Sequence, residues 1–432
     1  MSIATSWCLS QCRWTRGGGG IARPRVRRRV ASIITLALVF IVVVTGAAQA
    51  TGDLSFNAWL DGMRRDALAD GVSPGTVHAA LDRARFVPEV QELDRRQPEF
   101  LSTFWGYIDQ RVTPERIGNG RIFLRQHRGL LDAVERRYGV PPHVIAAFIG
   151  LESNYGRNTG GFRTVDALAT LAFDERRAPM FRRQLLAFLH LVDRGDVPVD
   201  AVSSWAGAMG QPQFMPTTYD AYAVDFDGDG RRDLWNSPAD IFASAGRFLS
   251  ELGWHADEDW GTEVLLPTSL DVRHLTLDTP KPVADWRRIG VRRSDGRPSD
   301  ADDTAMMSLI VPGGWSGGPA LLVGENFDAI LGWNRSVLYA VSVGHLADRI
   351  AGGGEFRTGR SDTPLSPLSR DDVVELQSIL AHLGYDTGGV DGVVGSKTRT
   401  AIRRFQTVTN LPADGYPSSL ILDRLRQDHV RQ

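Results

Sequence analysis

The chain has 432 residues, 42% hydrophobic and 23% charged, which suits one large domain plus a small one and excludes a disordered or fibrous protein. Its 49 basic and 51 acidic residues leave a formal net charge of −2, so nothing in the balance provides the basic surface that nucleic-acid binding needs. No glycine loop for phosphates and no dinucleotide fingerprint occurs, which removes phosphoryl-transfer and redox enzymes from consideration.

Residues 1–50 carry seven arginines and no acidic residue, then an apolar run from Ala31 to Thr45 that ends in Ala48-Gln49-Ala50. These are the three parts of a secretory signal peptide, predicted over 1–50. The run is shorter than the roughly 20 residues of a membrane span, although an uncleaved anchor is the alternative. Both cysteines, Cys8 and Cys12, precede the run, so the mature chain would contain no disulfide, no thiolate metal site and no lipid-anchoring cysteine. The expectation is an exported, periplasmic protein, without stable membrane insertion once the leader is removed.

From Phe56 to about Ile350 the sequence reads as mainly helical segments joined by short loops, within a predicted domain over 53–351. Pro141 and Pro142 are placed to open a helix, because the first turn does not use their missing N–H groups. It runs through His143 to Glu152 and stops at Gly156. Glu152 shares a face with Phe148 and Ile149, at helical spacings of four and three. Apolar surroundings and the negative helix end both disfavour the carboxylate, so Glu152 is expected to hold its proton near neutral pH. Such a group is the general acid that a leaving glycosidic oxygen requires. Further on, Asp225, Asp227, Asp229 and Asp233 take positions 1, 3, 5 and 9 of an EF-hand loop with Gly230 at the turn, and Arg231 can offer its carbonyl. Position 12 is Asn236 rather than glutamate, so the alternatives are a weak structural Ca2+ site and a tight Asp/Gly turn held by its own hydrogen bonds.

Gly352-Gly353-Gly354 opens a linker predicted over 352–368, with Pro364 and Pro367 inside it. A small three-helix bundle is predicted over 369–428. Ser369 and Asp372 have capping-box spacing ahead of Val373, Leu376, Leu380 and Leu383. Asp391-Gly392 forms a turn, Ser396 can cap a second helix with Ala401, Ile402 and Phe405, and Pro417 opens a third with Leu420, Leu422 and Leu425. Few long apolar faces remain unassigned, which points to a monomer.

The spaced positions Leu376-Gln377, Leu383-Gly384-Tyr385, Asp391-Gly392, Gly395, Thr398, Ala401, Phe405-Gln406, Leu411 and Asp414-Gly415 resemble the peptidoglycan-binding domain of bacterial wall hydrolases. Ile149-Gly150-Leu151-Glu152-Ser153-Asn154-Tyr155-Gly156 resembles the catalytic motif of lytic transglycosylases of the membrane-bound B type. Asp166 to Phe173, Arg176-Arg177, Ser204 to Pro216 and Asn334-Arg335-Ser336 with Tyr339 match the same family. The resemblance implies a mainly α, lysozyme-like transglycosylase domain that acts on peptidoglycan glycan strands and needs no cofactor for its chemistry. Glu152 would be the single acid/base, giving 1,6-anhydro ends. Ser204 and Gln213 would line the cleft, Asn334 and Tyr339 would orient Glu152 or hold substrate, and Tyr155 would shape the groove. Asp240 would complete the metal site if the loop is longer. Trp205, Phe214 and Met215 read as core. Trp333 and Phe248 stand where the family often has tyrosine, so any hydrogen bond from those hydroxyls is expected to be lost. The rivals are a lysozyme-type hydrolase, which needs a second carboxylate such as Asp166 or Asp174, and an inactive wall-binding scaffold, which the intact Glu152 motif opposes.

Overall fold

The computed structural model describes residues 55–95, 102–268, 270–271, 274–315, 317–360 and 367–430. The signal peptide expected over 1–50 lies outside the described residues, as does the 361–366 part of the linker. Among the described residues no helix is long and apolar enough to cross a membrane.

Helix α1 covers 55–69, followed by α2 (Pro74–Leu81), α3 (Pro88–Arg95), α4 (Phe104–Arg111), α5 (Pro114–Gln126), α6 (Arg128–Tyr138) and α7 (Pro142–Ser153). Next come α8 (Thr164–Phe173), α9 (Ala178–Asp193), α10 (Pro216–Tyr222) and α11 (Pro238–Glu251). The starts are written locally. Thr103 and Thr113 cap α4 and α5 with their side chains, and Pro114 and Pro142 take the first turn, each cap being worth about 1 kcal/mol.

Two apolar cores result. In the first, α7 is buried from Val144 to Ser153 and packs against α5, α6, α11 and a later helix, α14 (Val337–Ala351). In the second, α1 and α2 pack with α8, α9 and α10. Trp205 and Phe214 are buried in that core and Met215 packs on it, as expected from the sequence. Trp333, at the end of α13 (Glu325–Trp333), touches both cores and marks the seam between them.

Between α11 and α13 the chain forms an element that the sequence reading did not pick out. Strands β3 (Gly261–Leu265), β4 (Thr276–Pro282), β5 (Arg292–Arg293), β6 (Met306–Ile310) and β7 (Ala320–Val323) make an antiparallel sheet in the order β4-β6-β7-β3-β5. Trp286 on α12 (Val283–Ile289) closes its third core and donates its indole N–H to the Met307 carbonyl at 2.9 Å. A short ribbon of β1 (Phe162–Arg163) and β2 (Val202–Ser203) braces the start of α8.

The first half of the expected linker is pinned. Trp105 donates its indole N–H to the Gly359 carbonyl at 2.7 Å, and Arg360 stacks over the same ring while pairing with Asp109. Glu263 accepts the backbone N–H groups of Arg357 and Thr358, and the Phe356 ring stacks on His345. Segment 356–360 is therefore a strap on the large domain. Gly and Pro content marks where helices stop, not whether the chain beyond them docks.

The small unit folds as α15 (Arg370–His382), α16 (Ser396–Val408) and α17 (Ser419–Val430) around Leu376, Leu380, Ile402, Phe405 and Leu425. The Ser369/Asp372 capping box forms as its spacing predicts. Two details differ from the sequence reading. Gly395 is the N-cap of α16, with Ser396 already helical, and Leu420 is 65% exposed while its neighbour Ile421 enters the core. A one-residue rotation in a short helix is below what period-3.6 reading resolves.

Candidate active site

Helix α7 delivers Glu152 into the seam. Its side chain is only 5% exposed, and its Oε1 accepts from the Tyr339 hydroxyl of α14 and from the Trp333 indole N–H at 3.1 Å. The Phe148 ring, one turn earlier on α7, packs at a tilt with its centroid 4.4 Å from that of Trp333. Phe214 and Phe248 extend this wall, with centroids 5.3 and 5.0 Å from the same indole. Burial raises the Glu152 pKa above the usual carboxylate range. The Tyr339 and Trp333 hydrogen bonds and the positive charge of Arg111 pull in the opposite direction without cancelling it. The Tyr339 hydroxyl is itself pushed well above its ordinary value, by burial and then by Glu152, so it stays protonated and donates.

The sequence reading treated Trp333 as a lost hydrogen bond, and this is corrected. An indole has one N–H donor, and here it reaches the catalytic-motif carboxylate. Phe248 offers no such replacement. Arg111, at the end of α4, was not legible at all, because nothing in its spacing relates it to Glu152.

Asn334 caps α13, and its Oδ1 accepts the Ser336 N–H at 3.1 Å, so it shapes the 334–336 turn instead of orienting Glu152. Ser204 is buried, and its Oγ accepts the Ala208 N–H at 3.1 Å. Gln213 adopts a left-handed φ of 53° and donates its amide to the Gly210 and Thr159 carbonyls. Its Oε1 is buried and accepts no hydrogen bond among the described residues. Tyr155 packs against Gly120 of α5 and Gly150 of α7. Its hydroxyl donates to the Arg116 carbonyl at 2.8 Å, and its ring borders a pocket of about 300 Å³ with Phe123, Gln211 and Phe242, which Glu152 does not line. The cause is local: Asn154 and Tyr155 both take left-handed backbone (φ 51° and 58°), and the turn swings the ring away.

The second carboxylate of a hydrolase finds no support at either named position. Asp166 pairs with Arg163 and accepts the Arg85 N–H, and Asp174 is held by Arg176 and Gln91.

In the acidic loop, ligand oxygens of Asp225, Asp227 and Asp229 lie within 4.8 Å of one another. Asp225 also accepts from Gly228 and Gly230, and Asp229 accepts the Arg231 N–H, so the loop is pre-shaped. The donor set is all oxygen, as a hard cation requires. Asp240 does not join it. It is fully buried, with its two oxygens taken by the Phe226 and Asp233 N–H groups at 2.7 and 2.9 Å, and so braces the loop from beneath.

Residues 55–348 match the family described as "Transglycosylase SLT domain", and residues 369–425 match "Putative peptidoglycan binding domain". The chain belongs to the transglycosylase SLT domain family. It is similar to SltB3 of Pseudomonas aeruginosa, solved in complex with NAG-anhNAM-pentapeptide, at 44% identity and TM-score 0.82, over 86% of this chain and 99% of that one. Slt35 of Escherichia coli, solved in complex with calcium, is 30% identical with TM-score 0.57, over 69% of this chain and 93% of that one. The membrane-bound lytic murein transglycosylase B of Escherichia coli K12 is 43% identical over 150 residues, which span 34% of this chain and 41% of that relative's length.

Proposed function

We propose that this protein is a lytic transglycosylase of the cell wall, cleaving the β-1,4 bond between N-acetylmuramic acid and N-acetylglucosamine in peptidoglycan without water. The observation that carries the reading is the setting of Glu152: a buried carboxyl in an aromatic seam, held by two neutral donors. Glu152 gives its proton to the leaving glycosidic oxygen as that bond to C1 breaks. The Tyr339 hydroxyl and Trp333 N–H stabilise the carboxylate so formed. The carboxylate then takes the proton of the muramic acid 6-hydroxyl, whose oxygen closes onto C1 as a 1,6-anhydro ring. One carboxyl serves both steps, because the internal hydroxyl replaces the water that a second carboxylate would activate. The unpaired Gln213 Oε1 is an acceptor for a sugar hydroxyl or acetamido N–H, and Ser204, nine residues earlier in the chain, is proposed as a second sugar contact. On this reading the 369–425 unit attaches the enzyme to the wall and the protein works in the periplasmic space as a monomer; the peptidoglycan-binding match supports the attachment.

Mass spectrometry of fragments released from purified peptidoglycan tests this. Anhydro-ended fragments are expected from the parent protein, with a fall of about 10²–10⁴-fold in Glu152→Gln, the range for loss of a general acid/base. Reducing ends from the parent would make it a hydrolase.

The acidic loop is further proposed to hold structural Ca2+ through Asp225, Asp227, Asp229 and the Arg231 carbonyl, a reading supported by the convergent oxygens. A chelator is expected to lower the Tm of the parent by a few degrees and to leave Asp227→Asn unmoved, since a ligand of the folded state stabilises by mass action. Equal behaviour of both proteins would remove calcium from the account.

A further inference from the structure

The wall-binding unit contains the same clasp twice. In the first, Gln377 of α15 donates its amide to Asp391 Oδ1 at 3.0 Å, and its Oε1 accepts the Gly392 N–H at 2.8 Å. Asp391 Oδ1 also accepts the Val393 N–H at 2.9 Å. In the second, Gln406 of α16 donates to Asp414 Oδ1 at 2.7 Å, its Oε1 accepts the Gly415 N–H at 2.8 Å, and Asp414 Oδ1 accepts the Tyr416 N–H at 2.8 Å. Each clasp is a Gln on a helix gripping an Asp-Gly turn, with the Oδ1 oxygen of the carboxylate consumed by the clasp and the Oδ2 oxygen left outside it.

What the second outward oxygen does is visible. Asp414 Oδ2 accepts the backbone N–H of Trp315 at 2.7 Å. The Tyr416 side chain, on the residue after Asp-Gly, packs against Gly314, where an added Cβ would come within 2.8 Å of it. This turn therefore holds a piece of backbone, Gly314-Trp315, by the Trp315 amide N–H and by the contact of Tyr416 with Gly314. The first turn repeats the clasp, with Val393 in place of Tyr416, and carries no such occupant among the described residues. Asp391 Oδ2 accepts no hydrogen bond among the described residues, and the flanking Val390 and Val393 are 48% and 40% exposed. Arg370 crosses the turn and donates to the Asp391 carbonyl, which leaves a cation near the carboxylate; the Gln377 bond and then the Val393 N–H hold the Asp391 pKa down, with the Arg370 charge adding to them.

We infer that the Asp391–Val393 turn is a binding site for the peptide stems of peptidoglycan, with Asp391 Oδ2 accepting a stem amide N–H and Val390 and Val393 covering small alanine-type side chains. Arg370 pairs with a stem carboxylate. The inference rests on the wall-binding reading above and makes it specific: the module reads peptide, while the large domain reads glycan.

Asp391→Asn isolates the effect. Asparagine keeps the Oδ1 acceptor that closes the clasp and converts the outward acceptor into an N–H donor facing another donor. In a full-length Glu152→Gln background, which blocks turnover, binding is measured to purified sacculi and to sacculi stripped of stems by an amidase. Asp391→Asn is expected to bind intact sacculi about tenfold more weakly, as loss of a hydrogen bond to a charged group implies, and stripped sacculi as the background does. Val393→Glu, which leaves every clasp bond in place, is expected to weaken intact-sacculus binding in the same way. Unchanged binding by both variants, or equal loss on stripped sacculi, overturns the inference. Failure of the Glu152→Gln background itself to bind sacculi overturns the wall-binding reading instead.

Discussion

Removing the Tyr339 hydroxyl is the sharpest probe of the site. In Tyr339→Phe the ring stays in a position only 4% exposed, so packing around Phe148 is retained and only the donor to Glu152 is lost. A hydrogen bond to a charged group is worth ~1.5–3 kcal/mol. If its full value is realised as Glu152 becomes a carboxylate, kcat falls about 10- to 100-fold. KM changes little, because the bond strengthens with charge on Glu152 and not with substrate binding. The pH profile carries the sign. Glu152 acts first as an acid, so the rate falls as pH rises through its pKa. Tyr339 favours the charged form, and its removal moves that alkaline limb to higher pH. The assay is anhydro-muropeptide release across the neutral pH range. An unchanged kcat, or a limb that moves to lower pH, would refute the assignment of Tyr339 as the stabilising donor.

Three further outcomes follow from the same geometry. Trp333→Phe keeps an aromatic ring on both cores and loses the indole donor; kcat is expected to fall in the same sense, by about tenfold or less, with the alkaline limb again moving up. Gly160→Ala places a Cβ 2.0 Å from the Ser203 backbone at a φ of +105°, so scanning calorimetry is expected to show a loss of more than ~2 kcal/mol, and an unshifted Tm would exclude this close approach. Asp348 is held up to about 7 by burial, with the Trp260 indole N–H at 3.0 Å opposing the rise. Its folded form retains a proton that the unfolded chain releases, so its contribution is fully present below about pH 4 and is lost as pH rises through about 7. Asp348→Asn should therefore gain ~2 kcal/mol over the parent at neutral pH and flatten the pH dependence of Tm, whereas a less stable variant at neutral pH would contradict the sign.

The helical frame and the acid were legible because their signals are local. Pro142 at a first turn, the capping box at Ser369 and the apolar period of α7 need no partner to be read. The sheet was not legible, since β6 and β7 are short and almost wholly buried, and a run such as Ala320–Val323 has no alternation to distinguish it from buried helix. At the site, Glu152 and Tyr339 were named and meet as expected. The use of Trp333, the distance kept by Asn334 and the inward turn of Tyr155 depend on backbone direction at α13 and at residues 154–156. For Asp240 the limit is of a different kind. A carboxylate's type is visible in sequence, but the loop N–H groups that compete for its oxygens are not.

The pinned strap at 356–360 shortens the leash between the two units. With Arg360 fastened to Asp109 and Trp105, only eight residues separate it from Ser369, a stretch that cannot exceed ~30 Å even when fully extended. The docking of Asp414 and Tyr416 on Gly314-Trp315 holds the units together as well, so when one lets go of the wall the other keeps it within that radius, at an effective concentration on the order of millimolar. Rebinding then outcompetes escape, and the enzyme is retained on one patch of wall by geometry even where each separate contact is weak.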